Sequence, residues 1–202
     1  RSLANSSDFT TVLEATLGQE TATSQEVVVV NQLVDLALTE NFAMLLYQAT
    51  VHNAPALCAV MWGCYQQDTF VKPHLVWWAR LPSPVEPLSF GISAGAQQAM
   101  IWLNGSLWAS GDCPGLQPRL RSEFMPVTGL SHVLEASAGK DLALCLVKHG
   151  EEGTSVLSWG CADHGRLGVP WTVVRDLNAS TDGEDLLNMT ALLSAWGADE
   201  EE

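Results

Sequence analysis

Residues 156–168 read Val-Leu-Ser-Trp-Gly-Cys-Ala-Asp-His-Gly-Arg-Leu-Gly, and this stretch decides the fold class. It opens with an apolar run, 156–159, and continues through Gly160 into short polar residues and further glycines. β-branched and aromatic side chains favour a pleated, half-buried surface, and glycine permits the positive φ that tight reversals between strands often need. The stretch therefore predicts the rim of a β-sheet, where a strand ends and the chain turns back. It indicates an architecture and no chemistry.

The chain contains a related pair of segments before this stretch. Residues 92–102 (ISAGAQQAMIW) resemble residues 136–146 (ASAGKDLALCL), and Gly95 precedes Gly139 by 44 positions. In both segments Ser-Ala-Gly is followed, four residues after the glycine, by alanine and a large apolar residue. Similarity at a regular spacing is the signature of a repeat architecture.

The earlier segment continues as a hairpin, and a third copy precedes it. Asn104-Gly105 is a hairpin signal, and Ser110-Gly111 then aligns with Trp159-Gly160. The weaker third copy begins near residues 36–45, in which Thr39 takes the place of the glycine. It ends at residues 60–64 (VMWGC), which match residues 157–161 (LSWGC). We therefore interpret the chain as three divergent repeats.

These motifs resemble the regulator of chromosome condensation repeat family. That family builds β-propellers from repeats of roughly 50 residues, with a Ser/Ala-Gly entry, a short hairpin, Ser-Trp-Gly and a Gly-x-Leu-Gly exit. The resemblance is good over about 134–170, fair over 90–128 and poor over 34–82. It implies an all-β, propeller-like fold of about three to four divergent blades in a partial or incomplete ring. Another all-β meander with chance Trp-Gly pairs is the alternative.

The predicted organisation has three parts. Residues 1–30 form an N-terminal extension with strands, and residues 31–177 hold the repeats, at about 34–82, 90–128 and 134–177. Residues 184–202 form a short amphipathic helix and an acidic end, because the apolar residues there recur at helical spacing. Three repeats fall short of a closed ring, which is what protects edge strands. We therefore expect the chain to be a piece of a longer polypeptide or to be completed by another chain.

The charge of the chain restricts its partners. The 202 residues carry a net charge of −14, with only 9 Lys and Arg. So few cations cannot neutralise many phosphates, which argues against nucleic-acid binding and against anionic membrane surfaces. The acidic excess would favour a basic protein partner. The uncharged stretch 41–67 is long enough for a membrane span, but polar residues and Pro55 interrupt it, so two buried strands are the better interpretation.

Two motifs invite a catalytic reading. Residues 91–95 (GISAG) match the Gly-x-Ser-x-Gly nucleophile elbow, which needs a strand before it and a helix after it. Only residues 96–103 precede the Asn104-Gly105 turn, which is too short and too hairpin-like, so a serine hydrolase is a remote alternative. Asp163-His164 fits a polar turn better than an acid–base pair. We predict no catalytic, cofactor-binding or metal-binding residues and no cofactor.

Histidine and cysteine give no metal signature either. The histidines are scattered and lack metal-type spacing: His52, His74, His132, His149 and His164. The odd number of cysteines argues against a closed disulfide framework and favours reduced thiols: Cys58, Cys64, Cys113, Cys145 and Cys161. Four glycosylation-type sequons keep a secreted protein open as an alternative: Asn5, Asn104, Asn178 and Asn188.

The function predicted first is a non-catalytic protein–protein interaction or scaffold module, located in the cytoplasm or nucleus. The alternative is regulation of a small GTPase by nucleotide exchange. That alternative is implied only by the family resemblance, since no residue matches a motif assigned to exchange and function belongs to sites, not to folds.

Overall fold

The computed structural model describes residues 29–51, 53–66, 68–81, 89–111, 123–148, 153–160 and 187–188. Every regular element in these ranges is a β-strand, and the strands form three four-stranded antiparallel sheets. Four-stranded antiparallel sheets repeated along a chain are the unit of a β-propeller. The predicted all-β, propeller-like class is therefore confirmed. The chain divides into two compact units, residues 1–87 and 88–202.

The first unit contains sheet A, which consists of β1 (Val29–Leu38), β2 (Phe42–Val51), β3 (Ala54–Tyr65) and β4 (Asp68–Arg80), paired in that order. Asn53 and Gln66 adopt positive φ where the chain turns between strands. β2 and β3 are apolar and largely buried along their length, as predicted for the uncharged stretch. Within the described ranges no helix is long and apolar enough to cross a membrane.

The second unit contains two sheets. Sheet B consists of β5 (Phe90–Ala94), β6 (Gln98–Leu103), β7 (Ser106–Gly111) and β8 (Met125–Pro126). Sheet C consists of β9 (Val133–Ala138), β10 (Leu142–Lys148), β11 (Thr154–Gly160) and β12 (Leu187–Asn188). Asn104 and Gly105 join β6 to β7 with φ of 48° and 82°. Positive φ at both central residues is the geometry that Asn-Gly supplies in a two-residue hairpin, and the predicted hairpin is confirmed.

The repeat alignment reappears as one backbone hydrogen bond made three times. Each first hairpin is closed by an amide that donates to the carbonyl three residues later: Gly95 N to Gln98 O at 2.8 Å, Gly139 N to Leu142 O at 2.7 Å and Thr39 N to Phe42 O at 3.0 Å. Thr39 thus occupies the position of the two glycines, as aligned. Its hydroxyl also accepts a hydrogen bond from the Phe42 amide at 3.0 Å.

A glycine with positive φ lies on the third strand of each sheet. Gly63, Gly111 and Gly160 have φ of 109°, 94° and 124°. They pair across the sheet with the residues that close those hairpins, which are Phe42, Gln98 and Leu142. A Cβ on Gly160 would lie 2.4 Å from the Asp141 carbonyl oxygen, and a Cβ on Gly63 would lie equally close to that of Asn41. Glycine is therefore required at the end of the Trp-Gly motif by both conformation and space.

Sheets B and C share one hydrophobic core. It includes Met100, Trp102 and Leu107 from sheet B with Ala136, Cys145 and Trp159 from sheet C. Trp159 is 2% exposed in this core, which confirms the prediction that it packs between sheets. Sheet A has a core cluster on one of its faces, centred on Leu45, Tyr47 and Val60.

Several predicted elements lie outside the described residues. Of the N-terminal extension, 1–30, only Val29 and Val30 are described, and they begin β1. Of the C-terminal segment, 184–202, only Leu187 and Asn188 are described, and they pair with Ser158 and Leu157 of β11. The remainder of the predicted helix and the Gly-x-Leu-Gly exit at 165–168 lie outside the described residues.

Candidate protein-interaction surfaces

The contact between sheets B and C shows how one sheet of this chain covers another. The Ser93 hydroxyl on β5 accepts a hydrogen bond from the Ala138 amide at the end of β9, at 2.9 Å. The Ser89 hydroxyl donates to the Leu134 carbonyl at 2.6 Å. These bonds join two strands that are not neighbours in any sheet. The face of sheet B that carries Ser93, Met100 and Trp102 is called here the outgoing face of that sheet.

Gln98 and Gly95 complete this contact at the first hairpin of each sheet. The buried Gln98 amide donates through Nε2 to the carbonyls of Gly139 and Leu142, at 3.0 and 2.9 Å. A Cβ placed on Gly95 would lie only 1.7 Å from the Gly139 carbonyl oxygen. The two Ser-Ala-Gly segments found in the sequence therefore touch each other. The face of sheet C that receives them, with Ala136, Ala138 and Trp159, is called its incoming face.

The incoming face of sheet A holds apolar side chains that remain exposed. By strand register it includes Leu36 and Leu38 of β1, which pair with Leu45 and Ala43 of β2. Leu36 is 51% exposed and Leu38 is 69% exposed. Leu33 and Trp78 share this face through their partners Tyr47 and Cys58 and are also nearly half exposed. These exposed residues lie on β1 and β4 and therefore flank the core cluster of sheet A on both sides.

The same register positions are buried in sheet C. Leu36 pairs with Leu45, and Ala136 pairs with Cys145; each partner is the fourth residue of the second strand of its repeat. Leu36 therefore aligns with Ala136, and Ala136 is only 4% exposed. Trp62 aligns with Trp159, and it is only partly buried. The difference between the two sheets is that sheet B covers the incoming face of sheet C. A contiguous, exposed apolar patch of this kind marks an interaction surface.

The outgoing face of sheet C is the second candidate surface. Leu144, Leu146 and Val156 lie on it partly buried, beside the exposed Ser137 and Glu135. They line an open depression of about 160 Å³. On this face the apolar residues are again flanked by the Ser-Ala-Gly segment, here Ser137 to Gly139.

The GISAG motif at residues 91–95 serves the contact between sheets B and C. It lies on β5 and the turn to β6, so a strand follows it and not the helix of a nucleophile elbow. Ser93 accepts the Ala138 amide bond, and Gly95 permits the close approach to Gly139. The motif is accounted for by packing, and the serine-hydrolase reading loses its residue-level basis.

The other predicted chemical residues are dispersed or undescribed. Asp163-His164 lies outside the described residues, as do His52 and His149. His74 stacks on Phe70 with ring centroids 4.9 Å apart, and the His132 carbonyl accepts the Lys148 amide at 3.0 Å. Among the described residues no group of three or more His, Cys, Asp or Glu side chains is placed to hold a metal ion.

The described cysteines are free thiols. Cys58 and Cys145 are buried and Cys64 is exposed. Burial raises the pKa of the Cys58 thiol to about 11. Burial also raises the pKa of the Cys145 thiol to about 12, against a smaller lowering by a hydrogen bond to the Leu157 backbone. A thiol whose charged form is desolvated is a poor nucleophile, so these two act as apolar core residues.

Sequence reasoning did not identify the surface residues. The sequence placed Leu36 and Leu38 in a repeat but did not indicate which face of the sheet they occupy, and it did not single out Gln98. The signal in the sequence was the repeated glycine of Ser-Ala-Gly. In the structure neither Gly95 nor Gly139 has a positive φ, so Gly95 is needed because there is no space for a side chain, and not because of its backbone conformation. A glycine without a conformational need indicates close approach of another backbone.

Comparisons with known proteins find similarity in fold. A crystal structure of Kap60 bound to yeast RCC1 (Prp20) matches with a TM-score of 0.47 and 20% identity, over 80% of this chain and 35% of that chain. The crystal structure of Prp20p from Saccharomyces cerevisiae, described with its binding properties to Gsp1p and histones, matches with the same TM-score and identity over 79% and 35%. The chain thus spans about a third of the length of these structures. No protein-family model matches the sequence, and no curated protein matches it.

Proposed function

We propose that the chain is a non-catalytic protein–protein interaction module whose partner covers the incoming face of sheet A. The observation that carries this proposal is the exposure of Leu36 and Leu38 at register positions that are covered in sheet C. The proposed setting is a larger chain or assembly in the cytoplasm or nucleus.

The size of the exposed surface suits a moderate interaction. Full burial of a leucine side chain contributes about 1.5–3 kcal/mol relative to exposure. Leu33, Leu36 and Trp78 are about half exposed and Leu38 is 69% exposed, so covering these side chains would contribute on the order of 1 kcal/mol apiece. Association itself costs at least about 4 kcal/mol in lost translational and rotational freedom. A stable complex therefore needs further contacts around these four residues.

The charge of the chain also affects how fast different partners associate with it. The net charge of −14 would speed encounter with a basic surface and slow encounter with an acidic one. A basic partner would therefore associate faster, and a partner of like charge would associate better as salt screens the repulsion.

The test is cross-linked affinity capture with matched variants of the whole chain. Leu36→Glu adds one acidic charge on the incoming face, and Gln32→Glu adds the same charge at an exposed position whose partner, Gln48, lies on the other face. Partners bound through the surface should be lost with Leu36→Glu and kept with Gln32→Glu. Equal recovery with both variants would refute the proposal.

Nucleotide exchange on a small GTPase stays a prediction from the family resemblance. It is tested by release of a fluorescent guanine nucleotide from candidate GTPases in the presence of the chain. Release that rises with chain concentration and survives Leu36→Glu would replace the interaction module with an exchange factor acting through another surface.

A further inference from the structure

We propose that the incoming face of sheet A is covered by the outgoing face of sheet C from a second copy of this chain, so that copies join head to tail. This inference rests on the proposed function and names its partner. The contact between sheets B and C supplies the template, because all three sheets repeat the same first hairpin and the same strand order.

Sheet C repeats the outgoing half of that contact. Ser137 aligns with Ser93, since they pair with Leu144 and Met100 at the same position of the next strand, and Ser137 is exposed. Gly139 aligns with Gly95. A Cβ on Gly139 would meet only the Leu142 carbonyl of its own hairpin, at 3.1 Å. The glycine that admits a neighbouring backbone in sheet B is thus present in sheet C with space in front of it.

Sheet A repeats the incoming half. Leu38 aligns with Ala138, whose amide bonds to Ser93. Thr39 aligns with Gly139, whose carbonyl approaches Gly95. In a head-to-tail pair the Leu38 amide would donate to the Ser137 hydroxyl, and the Thr39 carbonyl would lie against Gly139.

Side-chain sizes favour this particular partner. In the covered contact large residues of sheet B, Met100 and Trp102, face the small Ala136 and Ala138 of sheet C. The corresponding outgoing residues of sheet C are Leu144, which is close to Met100 in volume, and Leu146, which is smaller than Trp102, and both border the open depression. The incoming residues of sheet A at the alanine positions are the larger Leu36 and Leu38.

The smaller Leu146 leaves space on the outgoing face that the larger Leu36 and Leu38 of the incoming face would fill. Close-packed interiors need such matching. The outgoing face of sheet C therefore offers Leu36 and Leu38 more room than the outgoing face of sheet B does.

Sedimentation of the whole chain and two variants tests the direction of assembly. Leu36→Glu disables the incoming face, and Gly139→Ala places a methyl group where the template contact admits none. The wild-type chain should associate, and each variant alone should associate at least tenfold more weakly. An equimolar mixture of the two should recover a heterodimer, because one intact incoming face then meets one intact outgoing face.

Each other outcome overturns the proposal. If sheet A pairs with sheet A, Gly139→Ala will associate like the wild type and the mixture will not be rescued. If the wild-type chain stays monomeric at the highest concentration at which it remains soluble, head-to-tail pairing is refuted. Circular dichroism checks that both variants are folded, and Gln32→Glu controls for the added charge.

Failure of the pairing is distinguishable from failure of the proposed function. A monomeric chain that still captures another protein through Leu36 would retain the interaction module and lose the second copy as its partner. Association should also strengthen as salt is added, because screening reduces repulsion between two chains of charge −14. Weakening with salt would indicate a contact held by ion pairs, contrary to the proposal.

Discussion

Replacing Gly95 with alanine should destabilise the second unit strongly, whereas the same replacement at the aligned Gly139 should not. The new Cβ at position 95 would lie 1.7 Å from the Gly139 carbonyl oxygen, and real Cβ contacts essentially never fall below 3.0 Å. The two hairpins must therefore separate by at least about 1.3 Å. At Gly139 the nearest atom outside the neighbouring residues is 3.1 Å away, within the same hairpin, so a small adjustment suffices.

The expected loss of stability follows from the hydrogen bonds that this separation of the hairpins would stretch. The Ala138–Ser93 bond of 2.9 Å and the Gln98–Gly139 bond of 3.0 Å both cross this contact. Overpacking costs about 1–3 kcal/mol, and each strained hydrogen bond costs about 1 kcal/mol, so we expect a loss of about 3 kcal/mol for Gly95→Ala. For Gly139→Ala we expect less than about 1 kcal/mol, partly offset by the reduced entropy of the unfolded chain.

Thermal and urea unfolding of the two alanine variants measure the difference. A loss of about 3 kcal/mol corresponds to a Tm lower by about 6–12 °C for a chain of this size. A Gly95→Ala chain that unfolds with the wild type would refute the close approach of the two hairpins. Equal destabilisation by both variants would show that glycine is needed for the hairpin itself and not for the contact between sheets.

Further predictions concern buried side chains. Trp159→Ala should lower the free energy of unfolding measured in urea by about 3–5 kcal/mol, because it leaves a cavity in the core between sheets B and C. Trp78→Ala should lower it clearly less, because that side chain is 46% exposed. Equal losses for the two variants would contradict the packing. The contribution of the Cys58 and Cys145 thiols to stability should be fully present below about pH 8. It should be lost as pH rises from about 9 through about 11–12, because burial raises their pKa values from 9.0 to about 11 and about 12 in the folded chain and these thiols ionise more readily once unfolded. A stability that increases over this alkaline range would refute the burial of these thiols. Of the described thiols, Cys64 should react first with a thiol reagent under native conditions, with Cys58 and Cys145 protected until unfolding, as peptide mapping of the labelled chain would show.

Local signals in the sequence determined the strands, the turns and the repeat. Asn104-Gly105 specifies its hairpin because few other pairs adopt positive φ at both residues. The glycine after Trp62 and Trp159 is needed for the same conformational reason, because it adopts positive φ in both repeats. Thr39 was recognisable in the glycine position because the spacing around it is kept, and its hydroxyl and amide both bond within the hairpin. Each of these features depends on residues a few positions apart.

The exposed or covered state of each sheet face was decided by tertiary structure. Leu36 and Ala136 have the same place in their repeats, and nothing in their neighbours along the chain says that one is exposed and the other buried. The GISAG motif made a nucleophilic Ser93 only a remote alternative, but the role of this serine became clear only from the Ala138 amide, which lies 2.9 Å from its hydroxyl and 45 residues further along the chain. Such contacts depend on which surfaces meet after the sheets have formed, and sequence periodicity reports only the alternation within a strand. Sequence therefore specifies the sheets of this protein, and only the packing of one sheet on another shows where a partner can bind.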